Sequence, residues 1–175
     1  LDLHNRTAAS GHEDFYPAML AHGLKLLTPY VDAARVATWK TNLNYDPYAI
    51  YEQAIGSINW NVVSSCGEAL LQLMGIRSTN NFYVTESWAA QGSHFTSPYG
   101  LYNDPTGNPG PMAYDHFPRI WFEDALAQGY SGPYSAEMTQ ALDRAAITCL
   151  FMQSPWGELP AGGRSAQHQW NEAQH

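Results

Sequence analysis

Positive charge is scarce in this chain. Of 175 residues only 8 are Lys or Arg, against 16 Asp or Glu, for a formal net charge of −8 with His neutral. Its lysines are Lys25 and Lys40. A nucleic-acid binder is usually basic or carries a basic stripe, so no nucleic-acid partner is expected. Charge of either sign is also low, at 14%, below the roughly 25% of an average soluble domain. No run of about 18 or more apolar residues exists, so no membrane span is expected. Two cysteines are too few for a disulfide-stapled mini-protein. Strand signals are sparse: alternation hardly occurs outside 81–85, which also fits a helix. No internal repeat marks a tetratricopeptide-like array, and no nucleophile-elbow pattern is found. Gly162-Gly163 is neither followed by Lys nor preceded by a strand, so it is not a phosphate loop. His4 with His12, or His116 with His168, could meet only in space. None has the three- or four-residue spacing of a preformed zinc pair, and no metal or other cofactor is expected.

Aromatic residues, in contrast, reach 13%, with 6 Trp and 11 Tyr, and hydrophobic residues 45%. Such a chain is not disordered. A globule of this size buries on the order of 70% of its unfolded surface, enough for one core, so residues 1–175 are expected to form a single helical domain. The chain opens at Leu1 without Met, and 171–175 read as the middle of a helix. A fragment of a longer catalytic domain is therefore expected. Abundant Trp and Tyr, little Lys and an acidic balance fit a secreted, extracellular or periplasmic protein that handles sugars. Asn5-Arg6-Thr7 is an N-glycosylation sequon.

The periodicity is helical nearly throughout. Ser10-Gly11-His12-Glu13 has capping-box spacing, and Phe15, Met19, Leu20, Leu24 and Leu27 follow at steps of three and four. Pro17 then falls in the first turn, where its missing N–H is harmless. Thr28-Pro29 reads as the N-cap and first-position proline of a second helix carrying Val31, Ala34, Val36 and Trp39. Asp46-Pro47 repeats that signal for a short helix through Ala54. A stronger helix covers 59–74, with Val62, Val63, Cys66, Leu70, Leu73 and Met74 in one stripe and Gly75 as its stop. Further helices are predicted over 80–90, carrying Phe82, Val84 and Trp88, and over 114–128, ending at Gly129. Ser135 reads as the cap of the next, in which Met138, Leu142, Ala145, Cys149 and Met152 step by three and four. Ser154-Pro155-Trp156-Gly157 breaks it, and a last helix begins near Ser165. Seven or eight helices make the chain all-α. Antiparallel helical hairpins with long Pro/Gly-rich loops on one face point to part of an (α/α) toroid, with a compact bundle as the alternative. Cys66 and Cys149 lie on apolar faces, either as small core residues or as one disulfide between neighbouring helices.

Two irregular stretches exceed the roughly 12–15 residues of a plain connector. The first, 91–113, holds four prolines and four glycines. It carries Tyr102 and Asp104 and leads into Tyr114, Asp115 and Arg119. Asp104 and Asp115 are open to two readings, helix or turn caps and catalytic carboxylates. The second, 153–172, gathers Trp156, Glu158, Arg164, His168, Trp170, Asn171 and Glu172. Trp faces stack on sugar rings, Arg binds a carboxylate through two parallel hydrogen bonds, and His exchanges protons near neutral pH. Arg164, His168 and Asn171/Glu172 share one helical face, and Gly162-Gly163 lets the backbone approach a ligand. A helix start with surface polar groups accounts for the same residues. Asn59-Trp60-Asn61 opens an otherwise apolar helix, as part of a pocket or as a cap.

The runs Tyr99-Gly100-Leu101-Tyr102-Asn103-Asp104-Pro105, Pro111-Met112-Ala113-Tyr114-Asp115 with Arg119, and Gly157-Glu158-Leu159-Pro160-Ala161-Gly162-Gly163-Arg164-Ser165 carry a resemblance. With Gln167 and Asn171-Glu172-Ala173, they resemble secreted α/α-toroid proteins that act on uronic-acid glycans, near glucuronidase-type glycoside hydrolases and the toroid domains of polysaccharide lyases. The resemblance covers about 59–172. It implies an aromatic-lined cleft at the loop end of the helices and an acidic or neutral poly- or oligosaccharide as partner, beside the remainder of the chain or other subunits. Arg164 would bind a substrate carboxylate, with Trp156, Arg119, Trp60, Asn59 and Tyr102 as further substrate contacts. In a hydrolase, Glu158 with Asp104 or Asp115 would act as acid and base. In a lyase, Tyr114 or His168 would abstract the proton next to the carboxylate that Arg164 neutralises. A helical glycan-binding or structural extracellular protein without turnover is the rival.

Overall fold

The computed structural model describes residues 16–44, 60–78, 82–95, 98–103 and 113–157. These residues are mostly helical, with no strand among them. Six α-helices follow one another: α1 (Tyr16–Leu27), α2 (Ala33–Leu43), α3 (Trp60–Leu73), α4 (Phe82–Gln91), α5 (Ala113–Ala127) and α6 (Ser135–Met152). The all-α expectation holds. No helix among the described residues is long and apolar enough to cross a membrane. The helices expected over 46–54 and from Ser165 lie outside the described residues.

Helix α3 is the centre, packed against α1, α4 and α5, while α2 leans on α1 and α6 on α5. The sequence of α3 explains its place. Val62, Val63, Cys66, Ala69, Leu70 and Leu71 are all buried, so its apolar surface is wider than the single stripe of a surface helix. Helix α1 answers with Ala18, Ala21 and Leu24, and two of those are small enough for close approach. From α4 and α5 come Trp88 and Phe122, edge to face at 5.1 Å. Phe95 stacks on Trp88 at 5.7 Å. Aromatic pairs in these arrangements contribute about 0.5–1.5 kcal/mol beyond their burial. Helix α6 buries one face only: Met138, Ala141, Leu142, Ala145 and Cys149.

The helix stops follow sequence closely. Gly75 has φ +69°; its N–H reaches the Gln72 carbonyl at 3.0 Å, and that of Ile76 reaches Leu71 at 2.9 Å. Gly129, φ +106°, ends α5 in the same way, with Tyr130 N–H bonded to the Ala125 carbonyl at 2.9 Å. Both are Schellman stops, which need a residue that tolerates positive φ.

Two starts differ from expectation. Thr28-Pro29 opens a 3-10 turn, Thr28–Tyr30, because the Thr28 hydroxyl bonds back to the Leu24 carbonyl at 2.7 Å and finishes α1. The cap of α2 is Asp32, whose carboxylate accepts the Arg35 N–H at 2.9 Å. Ser135 is the first residue of α6. The capping position belongs to Tyr134, in the left-handed region at φ 63° without a side-chain cap. Cys66 and Cys149 are both free and buried, so they are core thiols and not a disulfide.

Candidate functional site

The site is assembled where residues 98–103 meet α5 and α6. Gly100, at φ +74°, lies so close to α6 that a Cβ there would stand 2.9 Å from the Ala145 backbone nitrogen. The Thr148 hydroxyl donates to the Tyr99 carbonyl at 2.6 Å, fixing the segment to α6. Its next buried residue, Tyr102, donates its backbone N–H to Asp115 Oδ1 at 2.6 Å. Its hydroxyl donates to Gln91 Oε1, and its ring meets Phe95 edge to face at 5.1 Å.

Asp115, in the first turn of α5, has 0% exposure. One turn on, Arg119 reaches its Oδ2 through Nε at 3.0 Å and Nη2 at 2.9 Å. The same Nη2 meets His116 Nδ1 at 2.6 Å and Cys149 Sγ at 2.9 Å. A guanidinium has donors only, so His116 Nδ1 must accept, and the imidazole is the neutral Nε2–H tautomer. Burial pushes the Asp115 carboxyl above the ordinary carboxylate value, although Arg119 and the Tyr102 N–H hold it down. Burial also raises the Cys149 thiol; Arg119 opposes this and Asp115 reinforces it.

A cavity of about 440 Å³ opens between α5 and α6 on this cluster. His116, Arg119, Glu123 and Cys149 give it polar walls, and Ile120 and Leu150 apolar ones. The Glu123 carboxyl is raised by burial, against the attraction of Arg119 and with repulsion from Asp115 and Asp143. A carboxyl that keeps its proton longer than usual, beside a permanent cation, can donate a proton and hold an anion.

A second polar group ties α1 to α3 and α5. His22 Nε2 and Asp124 Oδ2 are 2.6 Å apart, and the Cys66 thiol donates to the same oxygen at 3.6 Å. Gln128 Nε2 reaches Asp124 Oδ1 at 3.3 Å. Burial, then Asp124, drive the Cys66 thiol well above its usual value.

Of the residues singled out in sequence, Tyr102, Asp115 and Arg119 come together. Trp156 stands in the turn after α6, 88% exposed. Tyr114 lies in the first turn of α5 and Trp60 opens α3. Asn59, Asp104, Glu158, Arg164 and His168 lie outside the described residues. Glu123, and Cys149 as a polar partner, were not foreseen. Residues 115, 119 and 123 recur every four positions, a visible helical face. The approach of Cys149, thirty positions from Arg119, has no local signal. No protein-family model matches the chain, and neither do curated proteins or solved structures.

Proposed function

We propose that the chain is a secreted carbohydrate-acting protein, its helices part of an (α/α) toroid, and that the α5–α6 cavity takes a sugar bearing a carboxylate. One observation carries this: Arg119 and Glu123 share one cavity wall, a permanent cation beside a carboxyl. The cavity volume, about 440 Å³, falls within the roughly 300–1,000 Å³ of small-molecule sites. In this reading Arg119 attracts the uronate, and Glu123 gives its proton to the leaving glycosidic oxygen. The partner base of a hydrolase would come from Asp104 or Glu158.

Binding without turnover is the second reading. Asp115 favours it, because both its oxygens are engaged, one by the Tyr102 N–H and the other by Arg119. A carboxylate so held is a poor base.

The test is incubation with a panel of uronic-acid polysaccharides, reading reducing ends and the ultraviolet absorbance of an unsaturated uronate. Reducing ends without absorbance, lost in Glu123→Gln, identify a hydrolase; a rise in both identifies a lyase. Retention on immobilised acidic glycans without product identifies a binding protein. The absence of both product and retention refutes the proposal.

A further inference from the structure

Three side chains around Arg119 present lone pairs to one point. One ligand atom from each of Asp115, His116 and Cys149 lies within 4.8 Å of the other two, all three residues buried. Arg119 Nη2 sits among them at 2.9, 2.6 and 2.9 Å. Because the guanidinium accepts nothing, each of the three faces it as an acceptor. One oxygen, one nitrogen and one sulfur is a donor set for a borderline-soft divalent ion, above all zinc.

Two of the three edges are close to those of a bound zinc ion. Oδ2 is 3.9 Å from Sγ and 3.8 Å from Nδ1. Around a tetrahedral zinc ion, with bonds of about 2.0–2.3 Å, those edges would be about 3.4–3.6 Å. Those two edges need shorten by only a few tenths of an ångström; the third, between imidazole and sulfur, lies within 4.8 Å and must close by up to about 1.2 Å. Asp115 Oδ1 is already fixed by the Tyr102 N–H, the kind of outer bond that orients a ligating carboxylate. The neutral imidazole has the tautomer that a ligand through Nδ1 requires. His116 and Cys149 line the cavity, which leaves its side open for a fourth ligand, as at catalytic zinc.

We propose that Asp115, His116 and Cys149 form a zinc-class metal site, and that Arg119 is a resident cation which the metal displaces. Cys149 gives up its thiol proton to solvent on binding. The guanidinium leaves into the cavity, where Glu123, four residues along α5, is a carboxylate partner. Charge balances in both states. Without metal, Arg119 offsets Asp115 and the thiol is neutral; with metal, two positive charges offset a carboxylate and a thiolate. The proposal does not depend on the glycan reading.

The probe is cobalt(II), titrated into the reduced, metal-free chain, with zinc as competitor. The wild type should show a thiolate-to-cobalt charge-transfer band that saturates at one ion per chain and is abolished by zinc. Cys149→Ser should lose the band and Cys66→Ser should keep it. Arg119→Gln, lacking the competing cation, should bind at least about tenfold more tightly. A band that survives Cys149→Ser overturns the site. A band in Arg119→Gln but none in the wild type overturns the displacement and makes Arg119 a permanent occupant. No band in either overturns the whole proposal. Far-ultraviolet circular dichroism checks the fold of each variant, and the wild type and Cys66→Ser decide the matter if Arg119→Gln does not fold.

Discussion

Gly100→Ala strikes the seat of the 98–103 segment on α6, and its cost follows from two separate contributions. Gly100 has φ +74°, and a left-handed conformation costs an L-residue about 1–2 kcal/mol. The added Cβ would also meet Ala145 N and Arg144 Cβ at 2.9 Å and the Arg144 carbonyl carbon at 3.2 Å. Two of these are helix backbone, so the segment must retreat. Forced overpacking of this kind costs about 1–3 kcal/mol, for a sum of about 2–5 kcal/mol. That is a large part of the 5–15 kcal/mol typical of a domain, taken as an order of magnitude. Two other glycines separate the contributions. Gly75, φ +69°, would have nothing within 4 Å of its Cβ, so Gly75→Ala should show the backbone cost alone, about 1–2 kcal/mol. Gly23 sits inside α1 with ordinary φ and open space, so Gly23→Ala should stabilise by about 0.5–1 kcal/mol. Urea unfolding followed by circular dichroism reads all three, provided the m-value is unchanged. If Gly100→Ala costs no more than Gly75→Ala, the segment does not rest on α6, and the placement of Tyr102 over Asp115 loses its support.

Asp115→Asn keeps the shape but leaves the Arg119 guanidinium without its ion pair at 2.9 Å; a loss of about 3–5 kcal/mol is expected for a broken buried pair, and a thermal shift worth under about 1 kcal/mol would refute that role. Glu123 has a raised carboxyl in the folded state, so its stabilising contribution is complete below the ordinary carboxylate value, about pH 4, and is lost as pH rises through the folded value. Glu123→Gln should therefore flatten the fall in Tm above about pH 4, and an unchanged slope counts against it. Both thiols are raised by burial and should alkylate slowly in the native state, with Cys149, which lines the cavity, ahead of Cys66; the reverse order contradicts the described burial.

Helices α3, α5 and α6 were legible because their apolar stripes, and the glycine stops of α3 and α5, are local properties of sequence. Starts were harder. Thr28-Pro29 fits a helix opening and a 3-10 turn equally, and only the return bond from Thr28 to Leu24, 2.7 Å long, decides between them. Tyr134 in the left-handed region contradicts its own propensity, so no rule would choose it over Ser135. Within the site, Asp115 and Arg119 were flagged by a loop motif, and the four-residue spacing to Glu123 was there to be used. The contact of Cys149 with Arg119 is tertiary, and it was the apolar spacing of α6 that hid it.

The two Asp–His–Cys groups among the described residues contain the same residue types around different centres. Around Asp124 a carboxylate oxygen is the centre, and both His22 Nε2 and the Cys66 thiol must donate to it. Around Arg119 a cation is the centre, and carboxylate, imidazole and sulfur accept from it, while the Cys149 thiol also donates toward Asp115 Oδ2 at 3.9 Å. A metal ion at the first centre would need both donors to give up protons and turn their lone pairs inward, starting from a thiol driven well above its usual value. At the second, the lone pairs already converge and one thiol proton must leave. Composition alone therefore does not distinguish the groups, but the cation at the centre of the second does. Cobalt(II) should coordinate Cys149 and ignore Cys66. Preference for Cys66 would mean that the central cation repels metal more strongly than the converging lone pairs attract it.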